Sequence, residues 1–243
     1  MKIRTSLTTA FIFVIFFWIS CTKKNIVSPV PVSAVTIVDA IDYNGSLIPD
    51  FSSDSIEWFS MAQTIGYGNA FEYSVPSGSV PLMVFPSTDT LNNIFSGKFD
   101  FKPGAIYSIF FSGTSLSNNH NDFDTLLVQD IIPYYPLGDS STGVRFVNLC
   151  VGSNPVNVNI QGSQNKFEIR NLPYKGVSQF ITYPASGNVS DYLFEFRDAQ
   201  SGSLIASYDY NSLACFHSVT LVLCGAAGDL SNDAPMVFQV DNF

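Results

Sequence analysis

Charge is what this chain of 243 residues has least of: Asp, Glu, Lys and Arg make up 13% of it, against about 25% in an average globular domain. Disorder is excluded by that shortage together with 46% hydrophobic residues, because disordered chains are rich in charge and poor in apolar side chains. Histidine is nearly missing, with only His120 and His217, so the commonest general base and metal ligand is scarce. The G-x-S-x-G elbow, the H-E-x-x-H helix and the phosphate-binding loop do not occur. No Cys/His spacing suits zinc, and nothing marks the carboxylate pair a glycosidase needs. No catalytic residue, cofactor or firm metal site is expected. Strong helix formers are also few, while Phe, Tyr, Val, Ile, Ser and Thr are plentiful, which favours strands.

No hydrophobic run is long enough for a comfortable membrane-spanning helix, which needs about 20 apolar residues. The run from Leu7 to Ile19 follows Lys2 and Arg4 and fits a signal peptide. Trp18-Ile19-Ser20-Cys21 then resembles a bacterial lipobox, with a small residue before a cysteine that becomes the lipid-bearing N-terminus. The reading is a signal peptide at 1–20, lipidation of Cys21, and an extended tether at 21–34 carrying Pro29 and Pro31. Loss of Lys2 and Arg4 takes the formal charge from −9 to −11. Such an acidic chain repels nucleic acid and gains nothing from anionic lipid, so the membrane partner is reached through the lipid.

The rest of the chain reads as two copies of one unit. Val35–Ile41 matches Val144–Cys150, and Tyr67 with Phe71–Gly78 matches Tyr174 with Phe180–Gly187. Phe99-Asp100-Phe101 matches Tyr208-Asp209-Tyr210, and the strand from Ile106 to Gly113 matches that from His217 to Gly225. Thr125–Asp130 and Met236–Asp241 close the copies. Alternation such as Tyr192-Leu-Phe-Glu-Phe-Arg197, with turns at Pro76-Ser-Gly78, Lys102-Pro-Gly104, Ala185-Ser-Gly187 and Gln200-Ser-Gly202, predicts many short strands. The expectation is an all-β protein of two tandem antiparallel, immunoglobulin-like β-sandwich domains. These occupy 35–132 and 142–243, joined by a Pro-rich linker at 133–141. A short helix or strand at 56–63 is the one ambiguous element.

Arg145, Val147 and Asn148, the turn residues Pro76, Gly78, Pro184 and Gly187, and the pair Gly104 and Tyr107 resemble an uncharacterised tandem domain family of Bacteroidetes-type envelope lipoproteins. The first copy has Thr36 where the second has Arg145. The resemblance implies the fold and an outer membrane location, with no activity attached. Surface-displayed lipoproteins of such bacteria often carry acidic residues after the lipidated cysteine; here stand Lys23 and Lys24, and the protein faces either the periplasm or the cell surface.

Three kinds of candidate site follow. Asn118, Asn119, Asn121, Asp122 and Asp124 in one loop, and Asp229, Asn232 and Asp233 in its counterpart, offer oxygens that suit a hard cation but equally suit turns. Trp58, Tyr134 and Tyr135 suit sugar stacking or interdomain packing. Cys150 and Cys224 could form a disulfide in an oxidising compartment, with Cys215 left over, or could be buried thiols. The function expected is a non-catalytic structural or partner-binding envelope module. The alternatives are a carbohydrate-binding accessory of glycan uptake and, further off, an enzyme.

Overall fold

The structure is a computed structural model that describes residues 30–42, 45–52, 63–114, 123–136, 138–163, 166–186, 191–211, 214–229 and 234–242. The signal peptide, Cys21, most of the tether and most of the ambiguous segment at 56–63 lie outside them. Pro31–Phe243 form one compact unit, and among the described residues every regular element is a strand.

Among the described residues seven strands precede the linker: β1 (Val32–Asp42), β2 (Leu47–Asp50), β3 (Asn69–Pro76), β4 (Gly78–Pro86), β5 (Phe95–Phe101), β6 (Ile106–Thr114) and β7 (Asp124–Asp130). Nine follow: β8 (Ser141–Asn148), β9 (Val156–Ile160), β10 (Phe167–Leu172), β11 (Gly176–Val177), β12 (Ile181–Pro184), β13 (Tyr192–Asp198), β14 (Leu204–Tyr210), β15 (Ser218–Cys224) and β16 (Met236–Asp241). β1 begins at Val32, inside the expected tether.

The strands form four sheets. A first inner sheet has the order β3-β1-β6-β7, and a first outer sheet has β2-β4-β5. The second inner sheet is β11-β8-β15-β16, with β12 also on β8, and the second outer sheet is β10-β9-β13-β14. The strands that carry matched landmarks hold equivalent places: β1 with β8, β6 with β15, β7 with β16, β5 with β14, and β3 with β12. The expectation of antiparallel sheets is corrected at their centres, where β1 pairs with β6 and β8 with β15 in parallel register. Each copy's first strand lies in the middle of its inner sheet. There it meets a strand reached only after the chain has crossed to the outer sheet and back, which permits parallel pairing.

Side-chain alternation builds three cores from these layers. On β1 and β6, Val35, Ile37, Ile109 and Phe111 point to the first outer sheet and pack on Leu47, Leu82 and Val84. On β8 and β15, Val144, Phe146, Leu221 and Leu223 point to the second outer sheet and pack on Val158, Phe194 and Phe196. The intervening residues of the same four strands make a third cluster: Val38, Ala40 and Phe110 against Val147, Leu149, Val222, Phe238 and Val240. The inner sheets therefore pack on each other. This is why β15 is buried at every position and β8 at all but the first, since a strand covered on both faces reads as a continuous apolar run.

Candidate functional site

The seam between the inner sheets is where the copies differ in chemistry. Arg145 sits on β8 between Val144 and Phe146, so alternation turns it away from the second core and toward the first inner sheet. Its Nη1 donates to Asp130 Oδ1 at 2.6 Å, with the two side chains 3% and 0% exposed. Its Nε donates to Thr220 Oγ1 at 3.0 Å, and that hydroxyl donates to Asn242 Oδ1. Ser108 Oγ donates to the other oxygen of Asp130 at 2.7 Å, and the Phe180 ring lies 4.8 Å from the guanidinium carbon. Arg145 Nη2 alone in this group finds no acceptor; an unmet buried donor costs about 1–3 kcal/mol.

The strand registers align the copies residue by residue. Thr36 faces Ser108 across β1 and β6, and Arg145 faces Thr220 across β8 and β15. Val128 faces Ser108 and Val240 faces Thr220. Asp130 is thus equivalent to Asn242, one residue beyond the Asp241 that the sequence landmarks matched to it. Thr36 is equivalent to Arg145, and Ser112 to Cys224. Against that frame two tyrosines cross the seam reciprocally. Tyr67 Oη lies 3.2 Å from Cys224 Sγ, and its counterpart Tyr174 has Oη 3.0 Å from Ser112 Oγ. Contacts repeated with the partners exchanged are the signature of a two-fold-like interface.

Tyr174 also donates to Asp124 Oδ2 at 3.0 Å, and Lys175 Nζ meets Asp124 Oδ1 at 2.9 Å. Burial, then the Asp124 carboxylate beside it, pushes the Tyr174 phenol up to about 12. Both oxygens of Asp124 therefore already take donors from the second copy, which ties this residue to the seam. Asn118, Asn119, Asn121 and Asp122 lie outside the described residues, as do Asn232, Asp233 and Trp58. Asp229 is partly exposed, with its backbone N–H on Ala226 O at 3.3 Å. Among the described residues no group of three His, Cys, Asp or Glu could hold a metal ion.

The Cys150–Cys224 disulfide is not formed: Cys150, Cys215 and Cys224 are thiols rather than half-cystines. The reason is parity. Cys150 belongs to the core between the second pair of sheets, and Cys224 to the seam on the opposite face of the inner sheet. Burial pushes the Cys150 thiol up to about 11, the mark of an inert packed sulfur.

The linker aromatics part company. Tyr134 is 86% exposed, whereas Tyr135 packs over β8 and β12, its hydroxyl 3.4 Å from Thr182 Oγ1. On the second outer sheet Glu195 is buried and bonded by Asn159 at 2.8 Å and Arg197 at 3.1 Å. Burial alone would raise its carboxyl, and those two donors outweigh it, so its pKa is lowered.

A cleft opens at each rim of the seam. One, of about 130 Å³, lies between β7 and the break separating β11 from β12, with Arg145 in its lining. The other, of about 280 Å³, lies between β3 and β16 at the equivalent place, with Thr36 where the first has Arg145. Glu72 and Asp241 line the larger cleft. Both are exposed, without the apolar enclosure that sets a catalytic acid apart from its partner. Sequence reasoning missed both clefts and the seam; the available signal was a lone arginine in a strand apolar on both faces.

Comparison with protein-family models found no match, and none was found among curated proteins. Among solved structures, the Bacillus anthracis TIE protein matches 81% of this chain and 34% of its own, at 12% identity and a TM-score of 0.26. The chain thus spans about a third of that protein. A family 41 carbohydrate-binding module from streptococcal virulence factors, described for alpha-glucan recognition, matches 85% of this chain and 96% of its own, at 12% identity and a TM-score of 0.26. The family CBM26 module of Eubacterium rectale Amy13K, in complex with maltoheptaose, matches 86% and 97%, at 13% identity and a TM-score of 0.28. At such TM-scores these likenesses carry no ligand over to this chain.

Proposed function

We propose that the chain is a non-catalytic binding or bracing module of the cell envelope, made of two tandem β-sandwiches and hung from the outer membrane by lipid on Cys21. The observation that carries this reading is the use to which the buried polar groups are put. Arg145 with Asp130, Asp124 with Tyr174 and Lys175, and Glu195 with Asn159 and Arg197 each hold layers or strands together. Proton-transfer chemistry instead needs a titratable pair with separated roles facing a cleft. The lipobox and signal peptide in the sequence support the anchor, and the resemblance to tandem envelope lipoproteins supports the location. A second reading, glycan binding, is favoured by the exposed Tyr134 and by the mixed apolar and amide lining of the smaller cleft.

The anchor is tested by expressing the full chain with Cys21→Ala and fractionating the cells. The expected outcome is that wild type partitions with outer membranes at the mass of a cleaved, acylated protein, while the variant is released or uncleaved. A variant that still partitions with membranes at the mature mass removes the lipid anchor from the account.

A further inference from the structure

The smaller cleft joins a buried donor without an acceptor to apolar walls. Arg145, 3% exposed, lies beneath it, and Nη2 has no acceptor in the protein. Val128, Ile131, Val177 and Phe180 give it apolar walls, and Gln129 and Gln179 stand on its rim, Gln129 with its side chain turned to the face of β7 opposite Val128. Both glutamines are exposed. The β11 edge stops at Val177 and β12 resumes at Ile181, so the break in the edge strand is what opens the cleft. Phe180, inside that break, keeps the guanidinium in place from one side.

We propose that this cleft holds one neutral saccharide unit. Asp130 neutralises Arg145, and the chain as a whole carries a formal charge of −9, so nothing draws an anion in. An uncharged acceptor is what the free Nη2 lacks. A sugar ring presents C–H faces to apolar walls and hydroxyls to polar groups, and this cleft offers both in Val128, Val177 and Phe180 and in Arg145 and Gln179. About 130 Å³ is small beside the ~300–1,000 Å³ of sites for whole drug-sized ligands, so it takes one terminal unit rather than a chain. The equivalent cleft has Thr36 for Arg145 and two carboxylates on its lining. Of these two clefts only the smaller is then the site, and the larger serves as an internal control. The proposal rests on the glycan-binding reading and names its site.

The test is saturation-transfer NMR on the mature chain, residues 21–243 with Cys21→Ala. The probes are the methyl glycosides of glucose, galactose, mannose and N-acetylglucosamine at millimolar concentration, with a capped, uncharged tripeptide alongside. At least one glycoside should receive transfer. Gln179→Ala, which changes an exposed side chain in the break between β11 and β12 and leaves the fold intact, should weaken it about tenfold, the loss of one hydrogen bond worth about 1.4 kcal/mol. Gln239→Ala in the other cleft should change nothing. Binding that ignores Gln179→Ala moves the site elsewhere and overturns the proposal while glycan binding stands. Transfer to the tripeptide alone, or to no probe at all, overturns the saccharide assignment and leaves the envelope-module reading untouched.

Discussion

Arg145 brings a full charge into the layer that holds Val38, Phe110, Val147 and Val222, where Asp130 is its counter-charge and Thr220 and the Phe180 ring its other partners. A buried pair of this kind adds little net stability over apolar residues of similar size, yet removing one partner strands the other and costs about 3–5 kcal/mol. Arg145→Met should therefore lower the urea unfolding free energy by about that amount. Arg145→Met with Asp130→Leu should recover most of the loss. A single variant within about 1 kcal/mol of wild type, the size of an exposed pair, would mean that water reaches the ion pair. The same residue marks a limit of legibility. Its place in the repeat, with Thr36 opposite, was readable from spacing. Its partner was not, because Asp130 lies on another strand of another sheet and closes the first copy in sequence just as Asp241 closes the second.

At the level of elements, alternation in Tyr192–Arg197 and the turn signals located strands well, since each depends on neighbours in the chain. Pairing direction and the second buried face of β8 and β15 were illegible, because both depend on what the chain does scores of residues later. The linker shows the same division. Its prolines mark a break in regular structure, yet it is no free hinge. At Gly143 on β8 an added Cβ would meet Tyr135 Oη at 2.8 Å, Ser218 Oγ at 2.9 Å and Pro133 Cγ at 3.1 Å. The missing side chain is what lets the linker lie against the strand. Gly143→Ala should destabilise the protein by about 1–3 kcal/mol, the usual range for overpacking, and lower its melting temperature in a circular dichroism scan. An unchanged melting temperature would mean the linker lifts off β8 at no cost.

For the whole molecule, two sequence copies suggest two domains on a string, and the seam argues for something else. Each pair of sheets has its own core, but Val147, Leu149, Val222, Phe238 and Val240 of the second copy are buried only by meeting Val38, Ala40 and Phe110 of the first. The reciprocal tyrosines Tyr67 and Tyr174 and the Arg145–Asp130 pair cross the same boundary. Stability of either copy is then coupled to the other, and both rim clefts have fixed walls because those walls belong to different copies. Differential scanning calorimetry of residues 21–243 with Cys21→Ala tests this most directly. The account predicts one transition, with calorimetric and van't Hoff enthalpies in a ratio of about 1. Two separated transitions, each with about half the total enthalpy and its own van't Hoff agreement, would show that the copies unfold independently and that the seam does not join them.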